Sequence, residues 1–241
     1  MTATDLFQAG RLDEAVAALG VELRRDPTDS KRRTFLFELL CFSGEYDRAE
    51  KQLDILADSS HEAAMGSLLY RSALQAERTR RRMFETGDFP HGAAPPAGGQ
   101  VDDRLCESIE DADPRLGARL EVYAAGAYLW IPFEHISSLE IQPPKRLRDL
   151  LWIPALLHTS PAFKGRELGE VLLPVLTPLA WKHPDAEVRL GRQTQWQESA
   201  DGKAIPAGQK LFLADEEEYP ILEVRRLQFS APPVAAEETQ A

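Results

Sequence analysis

Two ten-residue segments of this chain, 34 residues apart, follow one pattern. Leu6-Phe-Gln-Ala-Gly10-Arg-Leu-Asp-Glu-Ala15 and Leu40-Cys-Phe-Ser-Gly44-Glu-Tyr-Asp-Arg-Ala49 set Leu6 on Leu40, Gly10 on Gly44, Asp13 on Asp47 and Ala15 on Ala49. A fixed period constrains the fold strongly, because each copy must be one supersecondary unit that hides its apolar face only by stacking on its neighbour. The recurring residues suit a helix-turn-helix. Glycine stands where the first helix must end and reverse through left-handed backbone. The small alanine lets the second helix lie close, and Leu19 and Leu53, four residues further on, share its face. Pro27, in Arg25-Asp-Pro-Thr-Asp29, stops the second helix of the first copy. The next helix is expected from about Asp29 to Phe42, with Phe35, Leu36, Leu39 and Leu40 on its apolar stripe.

This is the period of tetratricopeptide repeats. A third long helix is expected from about Ser60 to Glu85, closed by Gly87. It carries Arg71, Arg78, Arg80, Arg81 and Arg82. Such a run reads first as a solvated helix face and second as a surface for a partner. From Gly87 to Gln100 the chain is rich in Pro, Gly and Ala and reads as neither helix nor strand. The expected division is a helical domain over 1–87, a linker over 88–100, a second domain over 101–229 and a disordered, Pro-rich then acidic tail over 230–241.

Beyond Val101 the pattern changes to short apolar runs broken by turns. Strands are expected at Arg119 to Tyr123, Tyr128 to Ile131, Ile136 to Ile141, Leu151 to His158, Gly169 to Leu176, Lys210 to Ala214 and Ile221 to Phe229. Ala-Ala-Gly-Ala between the first two marks a hairpin. The fold class is α+β: tetratricopeptide-like helices followed by a mostly antiparallel β domain, either a small sheet or an open barrel.

The net charge of -11 argues against a nucleic-acid partner, which needs surplus Lys and Arg on the contacting face. Most of the acidity, a net of -9, lies beyond residue 87. Met1-Thr-Ala-Thr-Asp5 does not begin a signal peptide, and no apolar stretch has the length of a membrane span, so a cytoplasmic protein is expected. Cys41 and Cys106 read as buried free thiols of a reducing compartment.

The search for a catalyst yields little. There is no Gly-x-Ser-x-Gly elbow and no phosphate-cradling glycine loop, and the five histidines are scattered, so neither cofactor nor metal is expected. The acidic turn Glu110-Asp-Ala-Asp113-Pro-Arg-Leu-Gly117 is the one constellation that could serve an enzyme. Its more ordinary reading has Asp111 and Asp113 capping backbone donors, Arg115 pairing with one of them and Gly117 opening a strand. Tyr123, Tyr128, Trp130 and Phe133 are read as packing groups before a ligand-stacking platform.

Three motifs combine from here on: Asp-Ala-Asp-Pro-Arg-Leu-Gly117, Tyr128-Leu-Trp-Ile-Pro-Phe133 and Arg148-Asp-Leu-Leu-Trp-Ile-Pro154, followed by Arg192-Gln-Thr-Gln-Trp196. Together they resemble the ImpE family, also called TagJ, an accessory component of type VI secretion. The family also begins with tetratricopeptide-like helices, so the resemblance covers nearly the whole chain. It implies a non-enzymatic cytoplasmic adaptor that binds the N-terminal helix of TssB, the small subunit of the contractile sheath. Through TssB it would assist sheath assembly, or recycling by the ClpV unfoldase. The chain departs from the pattern in its short 88–100 region and in Leu173-Pro-Val-Leu-Thr-Pro178, which lacks the usual Arg-Tyr.

Stacked helix pairs leave a concave face suited to an amphipathic helix. The repeat register puts Lys31, Thr34, Glu38, Cys41 and Phe42 on that face, with Tyr128 and Trp130 completing it from the hairpin. Asp111, Asp113, Arg115, Gly117, Asp149 and Trp152 are structural motif residues. The alternatives are a peptide or small-ligand sensor, or an enzyme built on the Asp111 and Asp113 turn.

Overall fold

The computed structural model describes residues 1–59, 61–92, 94–165, 167–199 and 201–230. The chain opens with five helices, α1 (Ala3–Gln8), α2 (Leu12–Arg25), α3 (Ser30–Phe42), α4 (Tyr46–Ala57) and α5 (His61–Thr86). Their ends follow from local chemistry. Thr2 and Asp5 form a reciprocal capping box at α1, and the Asp29 carboxylate accepts the Arg32 amide at 2.9 Å to start α3. Gly10 and Gly44 close α1 and α3 at φ +72° and +70°, the left-handed backbone that the repeat requires. Behind them Leu12, Ala15, Leu19, Leu39, Leu40, Ala49 and Leu53 are buried, so the recurring positions are the inter-helix contacts.

Among the described residues the second part is one curled antiparallel sheet of ten strands, a half-barrel, with one further hairpin. Its strands are β1 (Ala97–Val101), β2 (Arg104–Asp111), β3 (Arg119–Ala124), β4 (Ala127–Pro132), β5 (Ile136–Ile141), β6 (Trp152–Thr159), β7 (Gly169–Pro174), and then β10 (Leu211–Ala214), β11 (Glu217–Pro220) and β12 (Arg226–Phe229). The order is β11-β10-β2-β1-β12-β5-β6-β7-β3-β4, while β8 (Thr194–Glu198) and β9 (Ala204–Gly208) form a separate hairpin. Ala125 and Gly126, both at positive φ, make the β3–β4 turn. Between β7 and β8 the chain forms a 3-10 turn, Ala180–Lys182, and the short helix α6, Ala186–Arg189.

Alternation along the strands produces two cores. Val122, Leu139, Ile153, Leu157 and Leu227 fill the inside of the curl. Tyr123, Tyr128 and Trp152, on the opposite face, share a second core with Leu39, Phe42, Ala73 and Phe84 of the helices. The division near residue 90 therefore belongs to the sequence and not to the packing.

Several expectations are corrected. The linker over 88–100 ends early, because residues 97–100 already lie in β1, paired with β2 and β12. Glycine reads as loop in a sequence, yet here it permits close backbone approach: a Cβ on Gly99 would stand 2.0 Å from the Gln228 carbonyl oxygen. The strand expected over Ile221 to Phe229 is shorter, since residues 221–223 are turn and only Arg226–Phe229 pairs. β2, β11 and the β8–β9 hairpin, which the apolar pattern leaves unmarked, also form. Of the expected disordered tail, residues 231–241 lie outside the described residues.

Candidate functional site

The sheet face and α5 occupy the repeat surface where a partner helix was expected. Glu38, Cys41 and Phe42 of α3 are buried at 6%, 2% and 0% exposure, so they do not face an open groove. Tyr128 is buried as well, and Trp130 is half-buried, stacked on Phe89 with ring centroids 5.5 Å apart. Only Lys31 is exposed, with Thr34 partly so. The reason lies in the long α5 and the sheet, which pack where further repeats would stand in a longer array.

A chain of buried charges crosses this seam. Arg80 of α5 donates to both carboxylate oxygens of Glu121 on β3, at 2.7 and 2.9 Å, and to the Leu176 carbonyl at 2.9 Å. Glu121 also accepts from the Tyr128 hydroxyl and from Lys210 Nζ, each at 2.5 Å, and Lys210 reaches Asp111 Oδ2 at 2.5 Å. One turn before Arg80, the Glu77 carboxylate accepts the hydroxyl of Tyr123 at 2.6 Å, the Trp152 indole at 3.2 Å and the Tyr46 hydroxyl at 3.3 Å. Repeat, long helix and sheet thus share one polar network, and a buried charge demands such partners.

Burial and neighbours pull the carboxylates apart. Burial opposes ionisation of Glu121, but Arg80 and Lys210 outweigh it and hold its pKa down to about 2. At Asp111 burial prevails over Lys210, and the nearby Glu121 charge adds to it, raising the pKa to about 6. Glu38 is likewise pushed up to about 7, mainly by burial, against the attraction of Arg148. Desolvation raises the thiol of Cys41 far above its ordinary value, which makes it an inert core group.

The motif residues have structural employment. Asp111 Oδ1 accepts the Asp113 amide at 2.9 Å, and Asp113 accepts the Arg115 amide at 3.0 Å and its guanidinium at 2.5–3.1 Å. The turn is a pair of backbone caps with an ion pair, and Gly117 takes φ +58° within it. Both carboxylates are consumed by these contacts and by Lys210. Asp149 Oδ2 accepts the amides of Lys145 and Arg146 at 2.8 and 2.9 Å, fixing a loop from which Arg148 reaches Glu38 at 3.4 Å. Trp152 is 2% exposed and stacks near Tyr70 and Phe37 of the helices.

The segment between β7 and β8 grips the repeat turns. The Trp181 ring lies over Gly44, where a Cβ would come within 2.5 Å, and Glu187 stands over Gly10 in the same way. Arg189 pairs with Asp13 at 2.7 Å, and Arg192 donates to the last carbonyls of α1, Phe7 at 2.6 Å and Gln8 at 3.2 Å. The two repeat glycines thus give close approach as well as reversal.

Four of the five α5 arginines are engaged within the protein, and Arg82 alone of the five is exposed. Arg80 is buried, Arg71 pairs with Asp54, Arg78 with Asp47 and Glu50, and Arg81 lies 4.4 Å over Trp181. Sequence reasoning passed over Glu77, Glu121 and Lys210, although a charge flanked by apolar neighbours, as in Leu120-Glu-Val-Tyr123, was a readable sign. Among the described residues no group of three or more His, Cys, Asp or Glu side chains could hold a metal. No described helix is long and apolar enough to cross a membrane.

Comparison with known proteins adds an independent finding. The profile described as ImpE protein matches residues 103–228, and a tetratricopeptide repeat profile matches residues 6–71. The type VI secretion system accessory component TagJ of Pseudomonas aeruginosa is 33% identical over 95% of this chain and 91% of its own length. The crystal structure of protein VPA1032 from Vibrio parahaemolyticus superposes with a TM-score of 0.82 at 23% identity, over 96% of this chain and 98% of that one. That likeness is one of fold.

Proposed function

Because the chain belongs to the ImpE family, we propose that it is a cytoplasmic, non-enzymatic adaptor of type VI secretion that binds the N-terminal helix of the small sheath subunit, TssB. By holding that helix it assists sheath assembly or delivery to the ClpV unfoldase for recycling. The observation that carries the reading is the match to TagJ along 95% of the chain, repeats and sheet together. The geometry supports it from another side. Asp111 and Asp113, the candidates for a catalytic turn, are engaged with Lys210, Arg115 and backbone amides, which favours a structural role for the motif.

The test is retention of purified TssB by the immobilised full chain. The reading expects TssB to be retained and a TssB lacking its first helix to be lost. If TssB fails to bind while the chain is folded, or binds equally without that helix, the reading is wrong.

A further inference from the structure

With the concave repeat face filled, a partner helix needs another seat. Eight large hydrophobic side chains are strongly exposed among the described residues, and three of them fall within five residues of α5: Met65, Leu68 and Leu69, at 58%, 54% and 51%. With Ser72 they mark positions i, i+3, i+4 and i+7, one stripe of the helix. Leu69 and Ser72 of that stripe, with Ala73 beside them, line a cavity of about 390 Å³ whose other wall is the sheet, through Tyr123, Pro154, Leu156 and Leu172.

The register explains why this wall is uncovered. Pro154 stands opposite Leu172, and Leu172 opposite Tyr123, so these three lie in one row on the helix-facing side of β6, β7 and β3. The C-terminal half of α5 covers the continuation of that face, where Phe84 packs against Trp130. Beyond Ser72 and Ala73 the helix leaves it, and the next row, Glu140, Leu156 and Glu170, is open.

Two features select the occupant. β3, β5, β6 and β7 are each paired on both sides, so no free strand edge borders the groove and an added strand has nothing to pair with. The occupant must be held through side chains, as a helix laid in a groove is. Acidic groups accompany it: Glu170 lines the cavity, Glu140 is exposed in the same row of the sheet and the exposed Glu62 lies three residues before Met65 on α5, while Arg71 of that helix is already tied to Asp54 at 2.7 Å. Arg226, opposite Glu140, is the opposing charge.

We propose that the groove between the N-terminal half of α5 and the β6–β7 face is the docking site for an amphipathic helix of a partner protein, apolar face inward and basic flanks toward Glu62, Glu140 and Glu170. This rests on the adaptor reading and gives it a surface. Leu68 and Leu69 are the anchors. The carboxylates set orientation and make binding weaken as salt is raised.

The experiment compares the full chain with Leu68→Asp/Leu69→Asp, with Glu62→Lys/Glu170→Lys and with the distant control Leu105→Asp, in fluorescence-anisotropy titrations. All four side-chain sites in the two double variants are exposed, and urea midpoints check that each protein is folded. Two labelled probes are used: the first-helix peptide of TssB and an 18-residue Leu/Lys amphipathic peptide. The proposal expects at least tenfold weaker binding of the TssB peptide by the aspartate variant, a several-fold loss with the lysine variant and no change with the control. Equal binding by wild type and aspartate variant overturns the groove and leaves the adaptor reading intact. If the TssB peptide binds neither, the adaptor reading fails and the Leu/Lys peptide decides the groove: a tenfold loss supports it, and equal affinity or no binding overturns it. A self-association that the aspartate variant abolishes would assign the face to a second copy and overturn the proposal.

Discussion

Arg80 of α5 and Glu121 of β3 form a forked ion pair, 2.7 and 2.9 Å, with both side chains buried in the seam between the repeats and the sheet. Lys210 supplies a second cation to Glu121, and the Leu176 carbonyl takes a further donor of Arg80. Replacing Arg80 with Met leaves Glu121 with one cation and that carbonyl without its guanidinium. The cost of breaking a buried pair in this way is about 3 kcal/mol. Urea unfolding should show it, and Arg80→Lys should recover only part because an ammonium cannot span both oxygens.

The shifted carboxylates give the stability a definite pH dependence. Glu121 is held at about 2, below its ordinary 4.5, so its contribution is complete above pH 4.5 and is lost as pH falls through 2. Glu38 is raised to about 7 from 4.5, so the folded state holds that proton more tightly and stability declines as pH rises from 4.5 through 7. Asp111, raised to about 6 from 3.8, adds a decline between those values. Unfolding midpoints measured from pH 5 to 8 should fall for wild type and should fall less for Glu38→Gln.

Glycine substitution separates turn from helix. Gly44→Ala must place a methyl at φ +70° against the Trp181 ring, so it should destabilise by more than about 1 kcal/mol, and Tm should drop. Gly20, inside α2 with open space around its Cα, should accept Ala with a gain of about 0.5–1 kcal/mol. Opposite signs in one thermal-denaturation experiment are the expected result.

Trp152 tests the seam from the sheet side. Trp152→Ala removes a buried ring that packs on Tyr70 and Phe37, and is expected to cost about 3–5 kcal/mol. Trp152→Phe keeps most of the packing and forfeits the indole donor to Glu77, for a loss nearer 1 kcal/mol. Denaturant unfolding of the two variants distinguishes ring from hydrogen bond.

The helices were legible because their signals are local. Gly10, Gly44 and Pro27 mark ends, and Leu19 and Leu53 mark faces, all within one repeat. β1 was not, because Gly98 and Gly99 read as loop until the partner strands β2 and β12 are in place. The site was legible in its types and not in its environment. Glu38, Cys41 and Phe42, expected to face a partner helix, are covered by the chain's own α5 and second half. No spacing along α3 can say whether its face meets a foreign helix or α5 and Trp152, since that depends on contacts far apart in sequence. Arg115 pairing with Asp113 was readable because the two are neighbours, while Lys210 pairing with Asp111 joins residues 99 positions apart.

The most direct measurement is hydrogen exchange on the full chain, with and without the first-helix peptide of TssB. Docking of the helix in the groove adds protection in residues 65–73 and 154–156 and in the 170–172 stretch of β7, with residues 34–42 unchanged because α3 is already enclosed. Protection gained on α3 instead, or no protection anywhere at saturating peptide, would contradict it.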